Sequence, residues 1–197
     1  MIVLDVEASG TDYAKHSIVS LGALDLSNSS NRIYEECRIW DGAGYMPEAL
    51  KVCGFSLEEI TDPKKQPEAD LVHRFIEWSD AANDRTLAGQ NVSFDRDFLK
   101  HAAARAGHTD WPFAYRTIDV HSLAWMHMVK AGQQPPLKNY RSALDLDAIL
   151  NYCGIPEEPM PHNAMTGALS HAEVISRLLY GRKLLPEFSQ YEIPWKK

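Results

Sequence analysis

The first ten residues, MIVLDVEASG (Met1–Gly10), are the most informative part of the chain. They form an apolar run typical of a β-strand, but the run contains two acids and ends in small residues. Side chains alternate between the two faces of a strand, so Asp5 and Glu7 share one face. Two carboxylates on a buried strand repel each other and lose hydration, which predicts a raised pKa, a basic partner or a bound cation such as Mg²⁺. The alternative is a pair of ordinary strand-end acids that face solvent.

A second group of polar residues, NVSFD (Asn91–Asp95), lies where a predicted short strand, Thr86 to Gly89, gives way to a helix. Asp95 falls in the first turn of that helix. Taken alone, the segment is equally compatible with a functional acid and with an ordinary helix start, in which Asp95 complements the helix dipole and Asn91 or Ser93 caps the helix.

A third candidate is His162, which lies in the Pro-rich segment EEPMPH just before a predicted long helix. A neutral imidazole can take a proton from water near physiological pH. The alternative is a solvated loop histidine, because the chain has eight histidines.

Hydrophobic periodicity predicts an α/β domain in which strands come first and helices follow. The predicted strands are Ile2–Val6, Ile18–Leu24, Arg32–Trp40 (after a break at Asn28–Asn31), Thr86–Gly89 and Arg116–Ile118. The predicted helices are Pro47–Val52, a short one capped by Ser56, Glu68–Ala82, Phe94–Ala106, Val120–Val129, Leu144–Tyr152 and Ala164–Tyr180. Gly132–Lys138 is expected to be a flexible loop, and Leu185–Lys197 an extended surface tail. This order favours a mixed central β-sheet flanked by α-helices in a single domain, 1–197.

Composition narrows the class of protein further. A net charge of −7 disfavours a protein that coats nucleic acid, although metal ions in a carboxylate site can attract phosphate locally. The three cysteines are widely spaced and odd in number, which indicates neither a disulfide framework nor a zinc site. No long apolar run or basic leader is present, so we expect a cytoplasmic protein that does not enter a membrane.

The three motifs, DVEASG at Asp5, N-x-x-F-D at Asn91–Asp95 and the late HNAMTGAL at His162, resemble in their order and context the DEDDh, or RNase T-like, superfamily of 3′–5′ exonucleases. The resemblance extends from Met1 to about Gly181 and leaves 182–197 as a C-terminal extension. It implies a ribonuclease H-like fold.

The resemblance also implies a chemistry. Two ions, Mg²⁺ or Mn²⁺, would be held by Asp5, Glu7 and Asp95, with His162 as general base. The substrate would be the 3′ end of DNA or RNA, and the product a nucleoside monophosphate. Further motif residues would contact the substrate: Ser9, Gly10, Asn91 and Phe94. Some relatives dimerise, so a homodimer is compatible with the resemblance.

One position departs from the family pattern, which has an aspartate five residues after the histidine where this chain has Gly167. Water or a nearby side chain could replace the missing ligand, or the chain could be a weak or inactive nucleic-acid-binding module. His171, one helical turn later, is the first candidate for a substitute, although a packing or surface role is the more common one for such a histidine.

Several other residues near the motifs have ordinary roles in this interpretation. Four acids are not assigned to metal: Asp97, expected in solvent; Asp119, at the end of a strand; Asp145, at a helix start; and Asp147. Five aromatic residues could stack on bases or pack in the core: Phe55, Phe94, Phe98, Trp111 and Tyr115.

Overall fold

The structure, a computed structural model, describes residues 1–196. Within them, the main sheet has five strands in the order β3-β2-β1-β4-β5. These strands are β1 (Ile2–Ala8), β2 (Ile18–Asp25), β3 (Asn28–Glu36), β4 (Leu87–Gly89) and β5 (Ile118–Asp119). The first three form an antiparallel meander, whereas β4 and β5 run parallel to β1. The mixed sheet expected from the sequence is confirmed.

Helices cover both faces of this sheet. They are α1 (Pro47–Cys53), α2 (Leu57–Thr61), α3 (Glu68–Ser79), α4 (Ser93–Arg105), α5 (Val120–Lys130), α6 (Leu146–Tyr152) and α7 (Ala164–Tyr180). Alternate residues of β1 face opposite cores: Ile2 and Leu4 pack with α3 and α4, and Val3 packs with α5, α6 and α7. In the part of the chain described, no helix is long and apolar enough to cross a membrane.

The third strand differs from the prediction. It begins at Asn28, inside the predicted break, and ends at Glu36 rather than Trp40. The reason is a two-residue turn, in which the Asp25 carboxylate accepts hydrogen bonds from the backbone N–H and the hydroxyl of Ser27. This turn brings Asn28 directly opposite Asp25, so pairing starts at once despite the polar sequence.

Two segments predicted to be irregular contain regular structure. The expected loop before Lys138 leads into a short hairpin, β6 (Leu137–Lys138) and β7 (Arg141–Ser142). The tail is not extended along the surface, because it contains a 3₁₀ turn and buries Leu185, Phe188 and Ile193. The last residue of that prediction, Lys197, lies outside the described residues.

The tail is held by a buried arginine. The Arg177 guanidinium, fully inaccessible, pairs with Glu173 at 2.7 Å and donates to the carbonyl oxygens of Phe188, Tyr191 and Glu192. The second oxygen of Glu173 accepts from backbone N–H groups of the tail, so the buried charges are paired and hydrogen-bonded as burial requires.

Candidate active site

Asp5 and Glu7 lie on the face of β1 that is covered by α7. Both are half-buried, and they alternate with the buried Val6, as the period of two predicts. Asp5 is paired with Gly22 of β2. A side chain on Gly22 would overlap the backbone of Ala164, so this glycine lets α7 begin directly against the sheet. The two acids therefore lie beneath the first turn of α7.

Asp95 reaches the same place from α4. The strand β4 pairs with β1 only at Ile2 and Val3, so the Val6 N–H lies beyond this pairing. The Asp95 carboxylate accepts that N–H at 2.8 Å, which places it against the backbone between the two acids of β1. Asp95 is only 3% exposed. It is therefore not a solvated acid that serves only the helix dipole.

The alternative in which Asn91 or Ser93 caps α4 is wrong. Val92 occupies the cap position, and no side chain caps the helix. Asn91 instead adopts a left-handed conformation with φ of 50°, and its carbonyl oxygen accepts the Phe94 N–H at 2.9 Å. This tight turn directs the start of α4, and with it Asp95, back towards β1.

Burial dominates the electrostatics of the three acids and raises the pKa of each. Burial raises the pKa of Asp5 well above its usual value, and the charges of Asp95 and Glu7 raise it further. Burial also raises the pKa of Asp95 to about 8 and that of Glu7 to about 7. These shifts show that ionising the acids together is costly, and a cation among them would remove the cost.

His162 lies on the loop between α6 and α7. Its backbone N–H donates to the Val52 carbonyl oxygen of α1 at 2.9 Å. The preceding Pro161 fits against Gly54, where a side-chain carbon would lie 2.6 Å from the proline ring. The charge of His162 lowers the pKa of Glu7, although burial raises it more. The histidine is thus held near Glu7 by α1.

Gly167 lies in the first turn of α7 directly above Asp5. A Cβ there would overlap the Asp5 carboxylate at Oδ2. The position at which the family pattern places an aspartate therefore does face the acidic site. In this chain the Asp5 side chain leans into the space that a side chain at 167 would take.

His171 has a packing role in the structure. It is 1% exposed, and its Nδ1 donates to the Leu4 carbonyl oxygen at 3.2 Å. Burial lowers the pKa of its imidazole to about 4, so the ring is neutral at physiological pH. One ring nitrogen is thus committed to the backbone of β1.

The remaining acids near the motifs agree with expectation in part. Asp145 caps α6 as predicted, whereas Asp97, expected in solvent, is half-buried and pairs with Arg96. Asp119 caps α5, and its charge contributes to raising the pKa of Asp95, so it lies closer to the site than the sequence indicated.

Glu158 is a further acid whose charge acts on the site and that no sequence motif marked. This residue lies four positions before His162, and its charge contributes to raising the pKa of both Asp5 and Glu7. Burial raises the pKa of Glu158 itself, and the nearby His162 lowers it. No periodicity marks a loop residue of this kind, and the only signal is its closeness in sequence to the histidine.

The candidate substrate contacts are placed as follows. The Ser9 hydroxyl is buried and bonded to the Gly44 carbonyl oxygen at 2.8 Å, so it holds a turn. Gly10 is also buried, packed against the His16 imidazole. Asn91 is exposed.

The aromatic candidates divide between the core and the surface. Phe94 is half-buried and packs on Phe98, which is fully buried. Phe55 and Trp111 are partly buried against core clusters. Tyr115, 82% exposed, is the strongly exposed member of the five, with Arg96 over its ring.

The donor set contains only carboxylate oxygens, which suits a hard divalent cation: Asp95 is bonded to the β1 backbone between Asp5 and Glu7, and the Asp5 carboxylate fills the space beside Gly167. Across residues 1–196, no three histidine, cysteine or acidic side chains are yet gathered tightly enough to enclose an ion.

A mixed sheet with acids at the end of its first strand and a histidine before its last long helix defines the class of fold. The zinc-bound form of Exonuclease I from E. coli in complex with single-stranded DNA superposes with a TM-score of 0.71 at 18% identity, over 92% of this chain and 41% of that one. The fold is therefore ribonuclease H-like, as expected from the sequence.

The family follows from the sequence match. The RNase T family model, described as exonuclease, matches residues 2–175, and the chain belongs to this family. The 3′–5′ DNA exonuclease Cap18 of Escherichia coli is 29% identical over 127 residues, which cover 62% of this chain and 66% of that protein. Ribonuclease T of Haemophilus influenzae is 27% identical over 139 residues, covering 62% of this chain and 59% of the relative. The match thus spans less than two thirds of either relative.

Proposed function

We propose that this protein is a metal-dependent 3′–5′ exonuclease that releases nucleoside monophosphates from the 3′ end of DNA or RNA. The proposal rests chiefly on the hydrogen bond from the Val6 N–H to the Asp95 carboxylate. Val6 lies between Asp5 and Glu7, so this bond brings an acid of α4 beside the two acids of β1. The names of the two relatives, a DNA exonuclease and a ribonuclease T, support both kinds of substrate.

Asp5, Glu7 and Asp95 are the residues that would hold the metal. Mg²⁺ and Mn²⁺ fit this all-oxygen set, and the zinc-bound structural neighbour supports a divalent cation in this fold. When bound, such ions supply positive charge for the scissile phosphate, the attacking oxygen and the leaving 3′ oxygen.

His162 accepts a proton from the attacking water in this mechanism. The charge of His162 lowers the pKa of Glu7, so the proposed base lies near a proposed metal-binding carboxylate. The bond from His162 N–H to Val52 fixes the backbone that carries the base. Of the five aromatic candidates, Tyr115 is the most exposed and is the one that would stack on a base.

Nucleotide release tests the proposal directly. The full chain is incubated with 3′-labelled single-stranded DNA and RNA oligomers in Mg²⁺ and then in Mn²⁺. We expect mononucleotides from the wild type and a loss of about 10²-fold or more in kcat for His162→Ala, the usual contribution of a general base. His101→Ala is the control, because this exposed histidine stacks on Tyr13 outside the site. A wild type inert on both oligomers with both metals contradicts the proposal.

A second candidate function is a nucleic-acid-binding module with little or no catalysis, favoured by the glycine at 167 beside Asp5. In that case labelled oligomers bind to the wild type, as measured by fluorescence anisotropy, but are not shortened. Gly167→Asp, in which the Asp5 side chain must move to make room, would then produce nucleotide release that the wild type lacks.

Gly54→Ala should lower both stability and activity, because it would push on the loop that carries His162. Gly54 has a φ of 74°, and a Cβ there would lie 2.6 Å from Pro161. We expect a stability loss of about 1–2 kcal/mol, since L-residues are strained in this region, and a fall of about 10-fold in nucleotide release as Pro161 moves His162.

Gly107→Ala separates the loss of stability from the loss of nucleotide release. Gly107 has a φ of 85°, but no atom lies within 4 Å of an added Cβ. Thermal unfolding should show a comparable loss of stability, with activity unchanged. Equal activity in both variants would show that the contact with Pro161 does not position His162.

A further inference from the structure

The short hairpin between α5 and α6 presents a tyrosine that the fold leaves in solvent. In this hairpin Lys138 lies opposite Arg141, so the turn between the two strands consists of Asn139 and Tyr140 alone. Both turn residues have a positive φ, 50° for Asn139 and 61° for Tyr140. Asparagine and glycine tolerate this conformation, whereas a bulky side chain is strained in it. Tyr140 is also fully exposed, so it buries no surface that would offset the strain.

The hairpin is a basic segment of an acidic protein. Residues 131–144 include Lys138 and Arg141 and no acid, although the whole chain has a net charge of −7. Both side chains are exposed, and among the residues that the structure describes neither forms an ion pair. Two such cations flank the exposed ring of Tyr140. Proteins bind single-stranded nucleic acid with this combination, because the cations attract phosphates and the ring stacks on a base.

The hairpin is attached at the end of the sheet that carries the acids. Its Ser142 hydroxyl lies 2.7 Å from Nε2 of His121, in the first turn of α5. The helix α5 begins directly after β5, whose last residue, Asp119, lies opposite the last residue of β4. The strands β1, β4 and β5 are parallel, and Asp5 and Glu7 lie on β1 beyond its pairing with β4. From β1 to β5 is two strand spacings, or about 10 Å, so the hairpin is within reach of a strand whose 3′ end lies at the acids.

An open concavity of about 670 Å³ adjoins the hairpin and is lined in part by Lys138 and Arg141. Asp145 also lines it, but one oxygen of this carboxylate accepts the Ala148 N–H and so caps α6. An open surface of this kind suits a flexible strand that passes over it better than a small molecule, which proteins usually enclose.

We propose that the hairpin 137–142 binds unpaired nucleotides upstream of the 3′ end, a role that rests on the proposed exonuclease function. Tyr140 stacks on a base, and Lys138 and Arg141 contact phosphates. The preferred substrate is therefore a single strand several nucleotides long and not a dinucleotide or a blunt duplex end. These residues contribute to binding of the strand and not to the chemical step, so their loss should raise KM and leave kcat unchanged.

Binding of an oligomer in EDTA tests the role without nucleotide release. Fluorescence anisotropy gives the Kd of the full chain for a labelled single-stranded oligomer of about 12 nucleotides, within the usual site sizes of single-strand binders. Tyr140→Gly removes the ring and leaves Asn-Gly, a favourable pair for this turn, so the hairpin is retained. We expect it to raise Kd by about 5-fold or more, the usual effect of losing one base stack, whereas Tyr140→Phe should bind like the wild type.

The dependence of Kd on salt tests the two cations. The double variant Lys138→Ala/Arg141→Ala should lower the slope of log Kd against log salt concentration by about 1.4, since each phosphate contact of a single strand contributes about 0.7.

Tyr180 and Arg182 provide matched controls. Tyr180 is also an exposed tyrosine with an arginine, Arg182, over its ring, but it lies at the C-terminal end of α7, whereas the acids lie beneath the first turn of this helix. Tyr180→Ala and Arg182→Ala should each stay within about 2-fold of the wild-type Kd, as is usual for surface substitutions.

Substrate length separates binding by the hairpin from catalysis. With Mg²⁺, Tyr140→Gly should raise the KM of the oligomer by about the same factor as its Kd and leave the KM of a dinucleotide unchanged, because a dinucleotide is too short to reach the hairpin. Wild-type Kd and salt slope in the hairpin variants would overturn the role of the hairpin, leave the exonuclease proposal intact and assign this surface to a protein partner. A fall in kcat at unchanged Kd would overturn it as well. A wild type that binds the oligomer through Tyr140 but releases no nucleotide would support binding by the hairpin and contradict the exonuclease proposal alone.

Discussion

Asp5→Asn is expected to reduce nucleotide release by at least about 10³-fold, because it removes a carboxylate from the centre of the proposed metal site. Asp5 is the acid on which the whole arrangement converges: the charges of Asp95, Glu7 and Glu158 all act on its pKa, and Gly167 lies directly above it. Asparagine keeps the shape of the side chain but not its charge. The measurement is single-turnover release of mononucleotides in saturating Mg²⁺, and again in Mn²⁺.

Asp97→Asn provides the control for this variant. Asp97 follows Asp95 by two residues in α4, but it pairs with Arg96 instead of facing the site. We expect its activity to stay within about 3-fold of the wild type, in line with the small effect of a surface ion pair. If Asp5→Asn retained more than a tenth of the wild-type rate, the three-carboxylate site would not be the catalytic centre.

The sequence predicted those parts of the site that depend on local periodicity. Asp5 and Glu7 were placed on one face of β1 by the period of two, and the long helix after His162 was predicted with its observed ends, Ala164 and Tyr180. Both results follow from residues close together in the chain. The mixed sheet followed in the same way, from the order of strands and helices.

Contacts between distant residues were not predictable in this way. From its local sequence, Asp95 could be an acid that only complements the helix dipole. Its hydrogen bond with the Val6 N–H depends on the fold, because β4 ends at Gly89 and does not pair with this part of β1. Glu158 gave no signal, because its importance depends on how the α6–α7 loop is held against α1. The tail was misjudged for the same reason, since Arg177 is 11 to 15 residues from the carbonyl groups it binds there.

Close packing explains why a glycine stands at two important positions. Gly22 permits α7 to approach β2, and Gly167 lies against Asp5. A sequence pattern shows the glycine but not the atom that would meet a side chain. The departure from the family pattern at 167 could therefore be recognised from the sequence, whereas its consequence for the Asp5 side chain required the structure.

Glu7→Gln should make the metal-free protein more stable at neutral pH than the wild type. Burial raises the pKa of Glu7 from 4.5 to about 7, so the folded state holds its proton to higher pH than the unfolded state does. The wild type therefore loses stability as the pH rises from about 4.5 to about 7, whereas the glutamine does not ionise. Above this window the difference should reach about 2–3 kcal/mol in favour of Glu7→Gln, and below pH 4 it should vanish.

Saturating Mn²⁺ should make the wild type more stable than Glu7→Gln, the reverse of the order expected without metal. A bound cation stabilises only the folded state and prefers the ionised carboxylate, so the wild type gains more than Glu7→Gln. Thermal unfolding of both proteins at pH 4, 6 and 8, with EDTA and with Mn²⁺, measures the effect. Glu77→Gln, at an exposed position of α3, should match the wild type throughout. If Glu7→Gln were less stable than the wild type at pH 8 in EDTA, the carboxylate would be stabilised by the protein itself, and the argument that the site requires a cation would fail.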